Sequence, residues 1–206
     1  MELELEATFI NIDKTILRER LKQAGATLVQ PEIKMKKTIF DLGKNVFARV
    51  RDEGRQICMT YKSVADASRI DGTKEINVAV DNYDRAVAFI TALGIRPKSQ
   101  QETLRESWVL DDTEIDIDTW PWLPTFVEIE GKSSAAVETV SAKLGFNFAD
   151  AHFGSVDEIY KLYYNVTNDE INLAPEIKFS SLPDWLQNKQ KYEFKLPGIE
   201  QQKEQS

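Results

Sequence analysis

Glu2-Leu3-Glu4-Leu5-Glu6-Ala7-Thr8-Phe9 follows Met1 at the head of the chain. The glutamates and Thr8 occupy even positions, and Leu3, Leu5, Ala7 and Phe9 occupy odd ones. A period of two predicts a strand with one polar and one apolar face, here over residues 2–10. The pattern returns downstream. Strand-like stretches fall near 34–41, 46–52, 55–63, 73–80, 101–110, 114–120 and 125–131. Short turns such as Asp52-Glu53-Gly54-Arg55 join several of them, which favours antiparallel pairing.

Helices are expected between groups of strands. Asp13 is placed to cap one that runs to about Ala24, with Ile16, Leu17, Leu21 and Ala24 at helical spacing and Gly25 as its stop. Asp81 or Asp84 opens a second, with Ala86, Val87, Phe89, Ile90 and Leu93 on its buried side and Gly94 at its end. Ser133 caps a third, which runs to Leu144 and stops at Gly145. A fourth covers Ser155 to Tyr163, and Leu182-Pro183-Asp184-Trp185-Leu186 predicts a short one capped by Asp184. About eight strands with interposed helices make an α+β fold built on a large antiparallel sheet or barrel. The pattern weakens from Leu173. We therefore expect a main domain over 1–172 and a C-terminal extension over 173–206, with a frayed polar tail from Gln201 to Ser206.

Composition narrows the function. The 206 residues carry 34 acidic and 26 basic side chains, a net charge of −8. That balance argues against general nucleic-acid binding, which rests on excess Lys and Arg. Cys58 is the only cysteine and His152 the only histidine, so an internal disulfide, a Cys-based zinc site and any two-imidazole site are excluded. No basic region followed by an apolar run opens the chain, and no stretch reaches a membrane-spanning length. The expectation is a cytoplasmic protein without membrane or nucleic-acid partners, monomeric or homodimeric, in which the Asn165-Val166-Thr167 sequon has no consequence. No glycine motif for a P-loop or a dinucleotide is present.

Strand parity collects the charges on one face. Arg49 and Arg51 lie opposite Val50, Lys62 falls in line with Cys58 and Thr60, and Glu75 opposes Ile76. Thr103, Arg105 and Ser107 share a face, as do Asp116 with Asp118 and Glu128 with Glu130. A wet face of an antiparallel sheet is ordinarily polar. Doublets of like charge two residues apart repel, however, unless a counter-charge or ligand offsets them. With helices covering the apolar face, the charges would line the lumen of a barrel. Such a lumen suits a polyphosphate chelated to metal. Carboxylates bind a hard cation such as Mg²⁺ or Mn²⁺, and Arg and Lys bind phosphate oxygens.

The ordered series resembles the CYTH family, also called triphosphate tunnel metalloenzymes. The family's Glu-x-Glu-x-Lys strand reads Glu4-Leu5-Glu6-Ala7-Thr8 here. The Arg-x-Arg strand (Arg49, Arg51), the lysine ending the next strand (Lys62), Glu75, Arg105, the Asp strand (Asp116, Asp118) and the Phe126 to Gly131 block follow in order, over roughly residues 2–163. The resemblance implies an eight-stranded antiparallel tunnel with helices outside and a triphosphate-containing small molecule as ligand. It implies Glu4, Glu6, Asp118, Glu128 and Glu130 as metal ligands and Arg49, Arg51, Lys62 and Arg105 as phosphate ligands. Glu75 and Asp116 would support either set, and Glu4 or Glu6 would orient the attacking water. Members hydrolyse inorganic or thiamine triphosphate or cyclise ATP.

Two departures bear on activity. Thr8 stands where the signature has lysine, and Thr103 stands where a second basic residue is common. Losing an ammonium near a reacting phosphate removes transition-state stabilisation, so a binding protein without turnover stays a possible reading. No His-Phe pair, frequent in cyclase members, precedes Glu4, which ranks cyclisation below hydrolysis. Of Lys34-Met35-Lys36-Lys37, either all the lysines are solvated or one enters the tunnel and replaces the charge lost at Thr8. Trp120-Pro121-Trp122 reads as a rigid connection or as a stacking platform at the mouth. Cys58 and His152 read as structural, and Tyr160, Tyr163 and Tyr164 as the buried side of a closing helix.

Overall fold

The computed structural model describes residues 1–172 and 174–194. Leu173, where the expected extension begins, and the tail from Gln201 to Ser206 lie outside the described residues. The opening alternation divides into two strands, β1 (Glu2–Glu4) and β2 (Glu6–Phe9). Six long strands and one short one follow: β3 (Thr27–Asp41), β4 (Val46–Asp52), β5 (Ile57–Val64), β6 (Thr73–Val80), β7 (Pro97–Leu110), β8 (Thr113–Thr119) and β9 (Phe126–Glu130). The sheet order is β1-β6-β5-β4-β3-β7-β8-β9-β2. Every neighbour on this path is antiparallel.

The two ends of that path are halves of one strand. β1 pairs with β6, β2 pairs with β9, and Leu5 alone separates them. Among the described residues no continuous ladder closes the sheet; the chain itself does, at Leu5, whose carbonyl accepts from the Gly131 N–H at 3.0 Å. Counted as one strand, β1 and β2 bring the path to the eight strands that the resemblance implies.

Helices cover the outer face in two groups. Helices α1 (Lys14–Gln23) and α3 (Ser134–Lys143) lie over β2, β8 and β9. Leu17, Leu21, Val137, Val140 and Leu144 bury there against Ala7, Phe9, Ile115, Ile117, Val127 and Ile129. Each such aliphatic side chain contributes about 1.5–3 kcal/mol. The Asp13 carboxylate caps α1 by accepting from Thr15 and Ile16 N–H at 2.8 and 2.9 Å. Arg18 of α1 grips the buried Glu106 of β7 with Nε–Oε1 at 3.0 Å and Nη2–Oε2 at 2.6 Å.

The second group is helix α2 (Tyr83–Ala92), capped by Asn82, which seats Ala86 and Ile90 on Phe40 and Val50. Phe89 and Leu93, expected on its buried side, are exposed instead. Ile16 of α1 is exposed too, as are Leu3, Ile76 and Val78 on the outer face of β1 and β6. Helical cover is thus partial, because α2 reaches only the β3–β5 part of this wall.

The last group packs against one end of the barrel. It comprises α4 (Val156–Tyr163), α5 (Asn168–Asn172), β10 (Glu176–Ile177), which pairs in parallel with β7, and α6 (Asp184–Gln187). Pro183, and not Asp184, is the capping residue of α6. Tyr160, Tyr163, Tyr164, Ile177 and Leu186 bury with Trp120, Trp122, Leu123 and Phe126. The Tyr160 and Tyr164 hydroxyls donate to the Pro121 and Trp122 carbonyls at 2.7 and 2.6 Å. No helix among the described residues is long and apolar enough to cross a membrane.

Candidate functional site

Alternation carries the charged side chains to the inner face, and register decides which of them meet. Glu6 lies opposite Glu130, Thr8 opposite Glu128, Glu128 opposite Asp116, and Asp118 opposite Arg105. Across the barrel Lys62 lies opposite Glu75 and Lys37 opposite Arg51. At one end the inner rows turn apolar. Trp120 continues the row of Asp118, Phe126 that of Glu128 and Ile10 that of Thr8, and all three belong to the cluster around α4. The charged interior is floored there by α4 and the C-terminal segment.

Glu4, Glu75 and Glu130 form one cluster. A carboxylate oxygen of each lies within 4.8 Å of the others. Lys62 pairs with Glu4 and stands 3.3 Å from Glu75. Asn77 donates to Glu75 and accepts from Thr60 Oγ1 at 2.7 Å, which fixes the wall beside it. Burial, then the neighbouring Glu4, pushes the Glu6 carboxyl up to about 8 and that of Glu130 up to about 7. A set of oxygen donors this crowded suits a hard divalent ion, whose charge would favour the ionised forms of Glu6 and Glu130.

Arg105 organises a second cluster. Its guanidinium reaches Asp116 at 2.5 Å, Asp118 Oδ1 at 2.7 Å and Glu128 at 2.6 Å. Burial alone would raise the Asp118 carboxyl, but Arg105 outweighs it and holds it below the usual range. Glu128 is driven well up by burial, then by Glu6 and Asp118. Asp116 Oδ1 is shielded from solvent without a hydrogen-bond partner among the described residues.

The third cluster is basic. Arg51 pairs with Glu53, which the β4–β5 turn presents. That turn needs Gly54, with φ of 75°, because a Cβ there would also meet Ile33 Cδ1 at 2.6 Å. Arg49 makes no ion pair with any described residue, and its Nε is shielded and unpartnered. Burial, then Arg51, brings its guanidinium down to about 10. Lys37 is 3% exposed. Of the four clustered lysine and methionine residues at 34–37, it is the lysine that enters the barrel. Its ammonium lies 4.1 Å from the centre of the Trp120 ring.

The inner face therefore brings together Glu4, Glu6, Glu75, Asp116, Asp118, Glu128 and Glu130 with Arg49, Arg51, Lys62 and Arg105. Within that set Lys62 stands among the glutamates, and Asp118 and Glu128 are engaged by Arg105. Glu53 was missed from sequence because it sits in a turn. Thr8 is buried, and its backbone exchanges hydrogen bonds with His152, N–O 2.9 and 2.8 Å. Trp120 and Trp122 are buried, and Trp122 Nε1 donates to the Ser180 carbonyl at 3.2 Å. Neither offers a stacking face at an open mouth. Cys58 is buried, and burial pushes its thiol up, as for a packing cysteine.

The sequence profile of the CYTH domain matches residues 1–147. No curated protein matches the chain. Several solved structures share its fold. The PH1012 protein of Pyrococcus horikoshii OT3 superposes with a TM-score of 0.63 at 19% identity, over 73% of this chain and 94% of that one. A Vibrio parahaemolyticus protein provisionally named an adenylate cyclase gives 0.64 at 12% identity, over 78% and 98%. A Bacillus halodurans protein with the same provisional name gives 0.53 at 14%, over 78% and 97%.

Proposed function

The chain belongs to the CYTH domain family, and from that premise we propose that it is a metal-dependent hydrolase of inorganic or small organic triphosphates. One observation carries the reading. A carboxylate cluster and a set of basic side chains share one shielded interior, and each lacks part of its counter-charge. A triphosphate with its divalent ion is a single ligand that answers both needs.

Glu4, Glu75 and Glu130 would hold Mg²⁺ or Mn²⁺, with Glu6, Asp118 and Glu128 completing the acidic lining. When bound, the ion supplies Lewis-acid neutralisation of phosphoryl oxygens. Arg49, Arg51 and Arg105 take phosphate oxygens, and Arg105 is held in place by Asp116, Asp118 and Glu128. Lys62 bridges the acidic and basic regions, since it faces both Glu4 and Glu75 from the strand next to Arg49. Glu4 or Glu6 orients the attacking water and accepts its proton. The ion-paired inner side chains are 1–18% exposed, so their fixed charges are screened less than in solution.

The test is phosphate release from tripolyphosphate, thiamine triphosphate and ATP, each with Mg²⁺ and with Mn²⁺. We expect metal-dependent release from at least one, abolished by a chelator. Cyclic AMP as the product from ATP would replace hydrolysis by cyclisation. Tight binding of all three without turnover would make the protein a binder, the reading that Thr8 and Thr103 favour.

A further inference from the structure

Lys37 is a buried lysine with no ion pair to any described residue. Its surroundings make that costly. Burial comes first among the influences that hold its ammonium well below the usual lysine range, and the charges of Arg51 and Arg105 come next. Asp118 is the carboxylate that bears on it, but that side chain is engaged by Arg105 through two hydrogen bonds. The Trp120 ring under the ammonium offers its π face, which offsets a part of the lost hydration.

Among the described residues, neighbouring donors are short of acceptors as well. Arg49 Nε is shielded and unpartnered one register step along β4 from Arg51, which faces Lys37. Thr103 Oγ1 is shielded and unpartnered on β7, diagonal to Lys37 across the β3–β7 pairing. Trp120 Nε1, on the ring that Lys37 covers, is a third. Buried donors in native proteins are ordinarily satisfied. A group of such donors, gathered around the cationic Lys37 and Arg49, suits an oxyanion.

We propose that Lys37, together with Arg49, binds an oxygen of the innermost phosphate group, the one that abuts the floor formed by Trp120. This rests on the reading of the barrel as a triphosphate site and adds a ligand outside the residues placed in it so far. It also gives the chain an orientation. Because α4 and the C-terminal segment pack across that end with Trp120, the organic end of a substrate would point to the opposite side.

The full-length chain carrying Lys37→Met tests this, since methionine keeps the stem and removes the ammonium. Lys36→Met is the control. Lys36 is the preceding residue, is exposed, and also covers an aromatic ring, that of Tyr83 at 4.2 Å on the outer face. Calorimetric titration with tripolyphosphate and Mg²⁺ gives affinity, and thermal unfolding without ligand gives stability. We expect Lys37→Met to weaken tripolyphosphate binding by at least about tenfold, the loss of one charge-assisted hydrogen bond. The same variant should melt no lower than the parent, because it removes an unpaired buried cation that Arg51 and Arg105 repel. Lys36→Met should bind within about twofold of the parent, as expected for an exposed charge.

Unchanged affinity in Lys37→Met overturns the inference and leaves the triphosphate reading intact. A variant that melts lower and loses affinity in step with stability overturns it too, as does failure of both Lys37→Met and Lys37→Gln to fold, for then Lys37 is a structural cation. Absence of tripolyphosphate binding by the parent overturns this inference and the function together. Lys37-dependent binding without phosphate release supports the inference and defeats the hydrolase reading alone.

Discussion

Arg105 shows how parity, register and electrostatics combine at one residue. Alternation alone puts it on the inner face, and pairing with β8 brings it to Asp118 and Asp116, while the next strand supplies Glu128. Its removal leaves the buried Asp118 and the partly buried Asp116 and Glu128 without their common cation. We therefore predict that Arg105→Gln destabilises the protein by about 3–5 kcal/mol, measured by urea unfolding. A loss below about 1 kcal/mol, the range of an exposed pair, would mean that solvent screens the cluster. Glu4, Glu6, Arg49, Lys62 and Glu130 were legible in the same way, since each lies in a strand with one charged and one apolar face. Lys37 was not. Its strand has no uniformly wet face: Lys36 is exposed, but Thr38 and Phe40 farther along the same face are buried under α2, and Met35 and Lys37 are buried inside. With lysines on both faces and apolar residues on both, alternation does not reveal which of Lys36 and Lys37 turns inward.

The elements that were hard to read are the ones whose form depends on distant partners. β10 has two residues and α5 has five, too few for any period to show. Both exist because the last segment finds the apolar end of the barrel. The exposed Phe89 and Leu93 of α2 make the same point in reverse. Their spacing marks a second apolar stripe, but β4 offers α2 one contact face, which Ala86 and Ile90 fill. The C-terminal segment is tied to the floor of the site through Leu186, which is fully buried with Trp122 and Tyr164. We predict that Leu186→Ala costs about 2–5 kcal/mol in urea unfolding, the range for a core leucine. A change under about 0.5 kcal/mol would show that residues beyond 172 unfold separately from the barrel.

Across the whole molecule, an interior crowded with charge sets how stability follows pH. In the metal-free protein the Glu6 carboxyl is raised from 4.5 to about 8 and that of Glu130 from 4.5 to about 7. A carboxyl whose folded pKa exceeds its unfolded one favours folding most below the unfolded value. Between the two values the unfolded chain has released its proton and the folded chain has not, so stability falls as pH rises. Lys37 acts in the opposite sense, because its lowered value leaves the unfolded chain with more bound protons over the range between its folded and ordinary values. The melting curve of the parent alone therefore mixes the two. Glu6→Gln separates them, since the amide fills the same place and does not titrate. With chelator present, the melting temperature of Glu6→Gln minus that of the parent should increase steadily from about 4.5 to about 8, then level off. Glu130→Gln should do the same and level off nearer 7. Mg²⁺ or Mn²⁺ should shrink both differences at the alkaline end, because an ion that displaces those protons makes the ionised carboxylates an asset to the fold. A difference independent of pH would mean that the two glutamates ionise in the folded barrel as freely as in the unfolded chain. The crowding of carboxylates would then be relieved from within, by Lys62 and Arg105, with no metal called for.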